Sequence, residues 1–151
     1  MVSLLAFTAL GTAWSISIDQ PEPLSVGQLD QLQDAALQRS AAFEARFSRF
    51  QPGSEVRAFA TTGPGSYSIS PELTTLLAAA DRLRQLTHGA YDPAVGGLLE
   101  AAGYTAGYRL TPDWEYLREW QLPLWQLDAE NHQVTIDRPV IFDLGGIGKG
   151  Y

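Results

Sequence analysis

Apolar and hydroxyl-bearing residues alternate along residues 10–18, which places Trp14, Ile16 and Ile18 on one face. A period of two is typical of a strand with one buried face. The apolar run before it, residues 1–10, has the hydrophobicity of a secretory signal but lacks the basic residues that begin one. We therefore interpret residues 1–10 as the start of a strand, with a signal peptide as the alternative. No apolar run approaches the length of a membrane span.

The pattern changes to helical spacing in two longer segments. Ser25 and Gln28 form a capping box that opens a helix to about Phe47, and Ser70 followed by Pro71 marks the start of a second helix that extends to residue 87. Each helix carries an apolar stripe that predicts packing against a core. The stripes consist of Leu29, Leu32, Ala36, Phe43 and Phe47, and of Leu73, Leu76, Leu77, Ala80, Leu83 and Leu86.

Shorter patterns complete the chain. Turn-forming residues predict loops at 47–55 and 61–68, and short apolar patterns predict helices at 98–102 and 112–121 and strands at 124–127, 133–136 and 140–144, with a turn at 128–132. Together these elements predict an α+β fold in which helices pack on a mixed or antiparallel sheet. With no internal repeat and no linker, the chain is expected to be one folding unit.

Composition excludes several classes of function but adds little about the fold. The 151 residues carry a net charge of −7, so no basic stripe exists that could neutralise a nucleic-acid backbone. A negative protein can still bind phosphate groups locally through backbone amides, a lysine or a metal ion. Because the chain has no cysteine, disulfides, thiolate metal sites and thiol nucleophiles are excluded, but no compartment can be inferred.

In the segment 141–151 a β-branched apolar run is followed by several glycines, and Asp143 and Lys149 lie within the segment. Glycines at the end of a strand allow backbone to approach a ligand closely, and a helix would be expected to follow. The segment matches neither the dinucleotide fingerprint nor the P-loop, because Lys149 is followed by Gly150 rather than by serine or threonine. Phosphate binding and simple turn formation therefore both stay open.

The segment 87–99 places His88, Tyr91 and Asp92 on irregular backbone between two apolar elements, where binding groups tend to concentrate. Asp92 precedes a proline and is expected to have extended backbone. An ordinary Asp-Pro turn is the more common explanation for Asp92, and His88 at a helix end more often interacts with the helix dipole than with a substrate. His132, in a polar turn, is interpreted as a surface residue.

Four segments taken in order resemble one known family. They are Leu-Gly-Thr-Ala-Trp-Ser-Ile at 10–16, Phe-Ser-Arg-Phe-Gln-Pro-Gly-Ser-Glu at 47–55, Thr-His-Gly-Ala-Tyr-Asp-Pro-Ala-Val-Gly-Gly-Leu at 87–98 and Asp-Leu-Gly-Gly-Ile-Gly-Lys-Gly-Tyr at 143–151. This order is similar to that of the FAD:protein FMN transferase family, often called ApbE. The last two segments are the specific ones.

The resemblance implies transfer of FMN from FAD to a threonine or serine hydroxyl of a target flavoprotein, such as a subunit of a redox-driven ion pump, with release of AMP and with Mg²⁺ required. The expected fold is that of the family, and residues 1–151 would be the N-terminal part of a single transferase domain whose C-terminal half is absent. Catalytic residues are expected in that half, so this chain alone is expected to be inactive. By resemblance, the FAD-contacting positions are Leu10, Phe50, Ala90, Tyr91, Asp92, Asp143 and Lys149, and the carbonyl of Gly146 is the expected Mg²⁺ ligand.

The chain departs from the family pattern at several positions. Leu10 replaces a methionine, Gly97 replaces a proline, Ala60 replaces an asparagine, and residues 100–104 replace Asn-Leu-Trp-Gly-Phe. These changes affect the expected adenine or ribose environment more than the flavin-phosphate chemistry. Two alternative functions are a flavin-binding module without catalysis and a pyrophosphatase that splits FAD into FMN and AMP.

Overall fold

The computed structural model describes residues 1–107 and 110–151, which form two compact units, Met1–Ala45 and Arg46–Tyr151. The strands are β1 (Val2–Ala9), β2 (Thr12–Asp19), β3 (Gly65–Ser68), β4 (Trp125–Asp128) and β5 (Gln133–Ile136). The helices are α1 (Val26–Phe47), α2 (Pro71–Leu86), α3 (Gly96–Ala101) and α4 (Trp114–Glu119), with 3₁₀ turns at Ala58–Thr61 and Pro93–Val95. The predicted α+β fold is confirmed, and both of its sheets are antiparallel.

The first unit begins with a hairpin in which β1 pairs with β2 from Val2 opposite Asp19 to Ala9 opposite Thr12. The predicted strand at 10–18 starts two residues late, because Leu10 and Gly11 form the turn, with φ of 52° and 69°. Positive φ at both central residues is the geometry that matches the twist of a two-residue hairpin. Beside this turn, Trp14 stacks on Phe7 at 6.1 Å between ring centroids and donates its Nε1–H to the carbonyl of Ala9.

Helix α1 begins at the capping box predicted from the sequence. The amide of Gln28 donates to Oγ of Ser25, and the amide of Ser25 donates to Oε1 of Gln28. Only the last residue of the helix, Phe47, is buried, whereas Leu32 is 41% exposed. The expectation that the whole apolar stripe packs in a core is therefore wrong for Leu32.

The second unit contains a three-stranded sheet in the order β3–β5–β4. Strands β4 and β5 and the turn between them agree with the sequence prediction. Strand β3 lies in a segment that the sequence predicts to be a loop. That prediction follows from its glycine and serine residues, beside which only Tyr67 is large. Pairing with β5 makes it a strand, and Ser66 and Thr135 share a side-chain hydrogen bond of 2.7 Å across the pair.

The core of the second unit joins α2 to three aromatic rings. Phe142 is fully buried, with its ring centroid 5.8 Å from that of Phe59 and 5.5 Å from that of Trp125, both in edge-on contact. Leu73, Leu76, Leu77 and Ala80 of α2 are also buried, as their helical spacing predicts. Leu83 and Leu86, which continue the predicted stripe, are exposed, so the expectation of core packing is wrong for these two residues. Oγ of Ser70 accepts the amide of Leu73, which confirms the predicted N-cap.

Residues 140–144 are not a strand of a sheet, in contrast to the prediction. Val140, Phe142 and Leu144 are buried in alternation as in a strand, but the backbone bonds to irregular segments. The amides of Val140 and Asp143 donate to the carbonyls of Phe59 and Pro93, and the carbonyl of Ile141 accepts from Gly96. The alternating pattern thus reflects burial between two 3₁₀ turns and α3. No helix among residues 1–107 and 110–151 is long and apolar enough to cross a membrane.

Candidate functional site

Asp143 lies where the buried segment 140–144 meets the glycines, and both oxygens of its carboxylate are engaged. Oδ2 accepts from Nε of Arg49 at 2.7 Å, and Oδ1 accepts from the backbone amide of Gly145 at 2.7 Å. The Asp143 side chain keeps 20% of its surface exposed. The carboxylate is therefore fixed from two sides and still reaches solvent.

Arg49 is a buried cation, with 2% of its side-chain surface exposed. Its NH2 group donates to the carbonyl of Tyr104 at 2.8 Å, and NH1 lies 3.7 Å from Oε1 of Glu100. The centre of the guanidinium is 4.1 Å from the ring centroid of Phe50, within the range of a cation–π interaction. Phe50 is thereby connected to Asp143 through one side chain.

The segment 87–92 turns sharply after α2. His88 and Gly89 have φ of 52° and 83°, and the amide of Gly89 donates to the carbonyl of Arg84. Oγ1 of Thr87 accepts the amide of Tyr91 at 3.0 Å, so the turn is closed by the residue at the end of the helix. Ala90, at the tip of this turn, is exposed.

Asp92 has the extended backbone expected before proline, with φ −145° and ψ 126°. Its side chain is buried, and Oδ1 accepts from the amide of Ala94 at 2.9 Å and from Nε1 of Trp125 at 3.1 Å. NH1 of Arg84 lies 3.9 Å from Oδ2. This arrangement favours the Asp-Pro alternative, because the carboxylate caps a 3₁₀ turn and anchors an indole.

Tyr91 connects the 87–92 turn to the glycine-rich segment. Its hydroxyl is buried and has no hydrogen-bond partner among residues 1–107 and 110–151. Burial raises the pKa of the Tyr91 phenol above its ordinary value of 10.0, and the negative charges of Asp143 and Asp92 raise that pKa further. A buried phenol without a partner loses hydrogen bonding relative to water, so this position favours a ligand that supplies one.

Residues 145–150 form consecutive turns. The amides of Ile147 and Gly148 both donate to the carbonyl of Leu144, and the amide of Gly150 donates to the carbonyl of Ile147. Gly145, Gly146, Lys149 and Gly150 are exposed. The segment therefore presents backbone and one lysine to solvent directly after Asp143.

The structure brings together part of the predicted site. Tyr91, Asp143 and Gly146 lie within one cluster, and Phe50 joins it through Arg49, whereas Asp92 points into the core. Ala90 and Lys149 are exposed on the two turns of this cluster. Leu10 belongs to the first unit and lies on the β1–β2 turn.

Two charged side chains next to this cluster, Arg49 and Glu100, do not follow from the sequence patterns. Arg49 lies inside the 47–55 segment used for the resemblance, but an arginine between two aromatic-bearing positions gives no sign of burial. Glu100 forms an ion pair with Arg57 and lies near Arg49, at a position where the chain departs from the family pattern.

No group of three or more histidine, aspartate or glutamate side chains in residues 1–107 and 110–151 could hold a metal ion. Mg²⁺ prefers near-octahedral oxygen coordination. The exposed Gly146 suits a single carbonyl ligand, but the nearby Asp143 carboxylate is already paired with Arg49. The described residues therefore fit one part of a magnesium site, and Gly146 as a ligand stays a prediction.

Comparisons with known proteins identify the family and the fold of this chain. The ApbE family profile matches residues 10–151. The crystal structure of the ApbE protein from Thermotoga maritima superposes with a TM-score of 0.79 and 29% identity, covering 100% of this chain and 50% of that one. No curated protein sequence matches the chain.

Two further structures support the fold alone, because their sequences are less similar. The flavin transferase ApbE from Vibrio cholerae has a TM-score of 0.72 and 24% identity, with 99% of this chain and 50% of that chain covered. The flavinyl transferase ApbE from Pseudomonas stutzeri has a TM-score of 0.73 and 16% identity, with coverage of 100% and 52%. The chain thus spans about half the length of the structures that it matches. Since the family profile covers nearly all of its residues, the protein belongs to the ApbE family, as the four motifs predicted.

Proposed function

We propose that residues 1–151 form the N-terminal portion of a flavin transferase domain and contribute its flavin-binding part. The reaction transfers FMN from FAD to a threonine or serine hydroxyl of a target flavoprotein. The observation that carries this proposal is the cluster of Tyr91, Asp143 and Gly146, which occupies motif positions of a chain that belongs to the ApbE family. Two of the similar solved structures are flavin transferases.

The proposed chemistry is one displacement at phosphorus. The oxygen of the acceptor hydroxyl forms a bond to the FMN-side phosphorus, and the bond from that phosphorus to the bridging oxygen breaks. AMP leaves with the bridging oxygen, and the proton of the hydroxyl passes to solvent. Positioning and charge stabilisation are the main contributions that a protein makes to such a reaction. When bound, Mg²⁺ offsets the negative charge of the pyrophosphate, and we assign one of its ligands to the carbonyl of Gly146.

The residues of this chain are proposed to bind and orient FAD. The buried Tyr91 hydroxyl donates a hydrogen bond to a polar atom of the flavin nucleotide, which satisfies the phenol. The exposed Lys149 provides a cation for a phosphate, in line with the anion-binding properties of glycine-rich turns. Phe50 and its cation–π contact with Arg49 give an aromatic surface near the carboxylate of Asp143.

Transfer is proposed to need more than these residues. The matched structures are about twice as long, and the described residues hold no cluster of three metal-ligating side chains. We therefore expect residues 1–151 alone to bind FAD without modifying a target. The target would be a flavoprotein, for example a subunit of a redox-driven ion pump.

The test uses a hybrid in which residues 1–151 replace the matching half of the Thermotoga maritima ApbE protein, together with residues 1–151 alone. Each is incubated with FAD, Mg²⁺ and a flavoprotein target, and covalent flavin is measured by in-gel fluorescence and AMP by chromatography. A target with its acceptor threonine replaced by valine is the control. We expect labelling by the hybrid only, with AMP formed in equal amount.

Other outcomes identify the alternative functions. AMP release without any target would indicate a FAD pyrophosphatase. A folded hybrid that binds FAD but forms neither AMP nor covalent flavin would indicate a non-catalytic flavin-binding module. Absence of FAD binding by the folded protein would contradict the proposal altogether.

A further inference from the structure

We infer that Arg49 is a positioning residue of the flavin site, which acts on the bound nucleotide through Asp143 and the glycine-rich turn rather than by touching it. The inference rests on the proposed function for its effect on FAD. Its structural basis is a bridge in which the buried guanidinium binds one carboxylate oxygen and the Gly145 amide binds the other.

The bridge fixes the direction of the Asp143 side chain. Arg49 and Asp143 are 94 positions apart in the sequence, and the distance from Nε to Oδ2 is 2.7 Å. Because arginine stays protonated in proteins, its buried charge requires a fixed anion nearby. Rotation of Asp143 would break its hydrogen bond to the guanidinium, leave Glu100 as the remaining anion beside Arg49, and release the amide of Gly145.

A second set of contacts keeps Arg49 itself in place. NH2 donates to the carbonyl of Tyr104, which follows α3, and the guanidinium lies over the ring of Phe50. NH1 is buried without a hydrogen-bond partner among residues 1–107 and 110–151, and its neighbouring anion is Glu100 at 3.7 Å. Arg49 therefore sets the position of Asp143 relative to Phe50, and both residues are proposed to contact FAD.

A buried ion pair can also be purely structural, and the two roles predict different results. If Arg49 acts through Asp143, its replacement should have no further effect on FAD affinity once Asp143 is neutral. If Arg49 only supports the fold, the two losses should multiply in the double variant. A double-mutant cycle on FAD affinity therefore separates the roles.

The experiment measures FAD dissociation constants by flavin fluorescence for the protein and for Arg49→Met, Arg49→Lys, Asp143→Asn and the double variant R49M/D143N. We expect Arg49→Met to raise the dissociation constant about tenfold, since it removes a charge-assisted hydrogen bond. The double variant should bind no more weakly than Asp143→Asn, and Arg49→Lys should lie between the protein and Arg49→Met. Arg57→Met is the matched control, because it breaks the ion pair with Glu100 and leaves Asp143 untouched.

The effect of Arg49 on the glycine-rich turn can also be measured without FAD. Hydrogen exchange of the Gly145 amide, followed by NMR, should become faster in Arg49→Met and in Asp143→Asn and stay unchanged in Arg57→Met. An unchanged Gly145 amide in Arg49→Met, or multiplicative losses of FAD affinity, would overturn the inference. If Arg49→Met does not fold, an unchanged hydrogen-exchange rate of the Gly145 amide in Arg49→Lys would likewise overturn the inference. Failure of the parent protein to bind FAD, with the Gly145 effect present, would contradict the proposed function and leave the positioning role of Arg49 supported.

Discussion

Gly146 lies directly against the ring of Tyr91: a Cβ added at position 146 would be 3.0 Å from Cε2 of Tyr91. This separation is shorter than ordinary van der Waals contact, so glycine allows two turns that are distant in sequence to approach without displacement of the Tyr91 ring. The contact also places the exposed backbone of Gly146 beside the ring of Tyr91, whose hydroxyl is buried.

Replacement of Gly146 by alanine should therefore disturb the site more than the fold. The Tyr91 ring must move by a few tenths of an ångström, and we expect the free energy of unfolding to fall by about 1 kcal/mol. FAD binding should weaken about fivefold, as measured by fluorescence titration. Gly150→Ala is the control, because its Cβ would lie at an ordinary 3.7 Å from the carbonyl of Ile147. Equal FAD affinities of the two variants would contradict this view of Gly146.

The raised pKa of Tyr91 predicts a loss of stability in alkaline solution. Below pH 10 the phenol is neutral in the folded and unfolded states, and its contribution to the free energy of unfolding is fully present. Above pH 10 the unfolded state loses the proton first, so stability falls as the pH rises through the folded-state pKa. Urea unfolding between pH 9 and pH 12 should show a smaller decrease for Tyr91→Phe than for the parent protein. Parallel curves for the two proteins would show that the Tyr91 pKa is not raised.

Two adjacent glycines at the start of α3 should respond differently to the same substitution. A Cβ at Gly96 would lie 2.4 Å from the carbonyl oxygen of Ile141, whereas one at Gly97 would have Nε1 of Trp120 as its nearest atom at 3.5 Å. Gly96→Ala should lower the free energy of unfolding by about 1–3 kcal/mol or more, because rigid backbone must shift. Gly97→Ala should be neutral or stabilising by up to about 1 kcal/mol, because alanine favours a helix. Chemical denaturation measures the free energy of unfolding of both variants. An unchanged free energy of unfolding in Gly96→Ala would contradict the packing of α3 on residues 140–144.

The buried carboxylate of Asp92 should behave as a structural group. Asp92→Ala removes the acceptor for both Ala94 and Trp125 and should cost about 2–3 kcal/mol of stability. Asp92→Asn keeps an oxygen acceptor at that place and should cost clearly less. Thermal and urea unfolding of the two variants test this order. A stable Asp92→Ala variant with greatly reduced FAD binding would instead assign Asp92 to the ligand.

The sequence predicts those elements whose signals are local. The capping residues Ser25 and Ser70 and the apolar spacing of α2 identify two helices, because a cap and a stripe act within a few residues. The motif positions Tyr91, Asp143 and Gly146 are also found together in the structure, although nothing in their composition requires this.

What the sequence does not reveal depends on partners distant in the chain. Residues 65–68 form a strand only because β5 offers its edge, and their glycine and serine content indicates a loop. Residues 140–144 alternate like a strand, but their hydrogen-bond partners are the 3₁₀ turns and α3. Arg49 is typical of a surface residue by type, and its burial follows from Asp143 and Tyr104, which two distant segments supply, and from the neighbouring Phe50.

The most direct test of the central claim is an equilibrium titration of the protein with FAD, followed by quenching of flavin fluorescence. Asp143→Asn is compared with Asp34→Asn, which changes an exposed carboxylate on α1 by the same chemistry. We predict saturable binding in the micromolar range for the protein and for Asp34→Asn, and binding about tenfold weaker for Asp143→Asn. Absence of saturable binding by the folded protein, or equal affinities of the two variants, would contradict a flavin site built around Asp143.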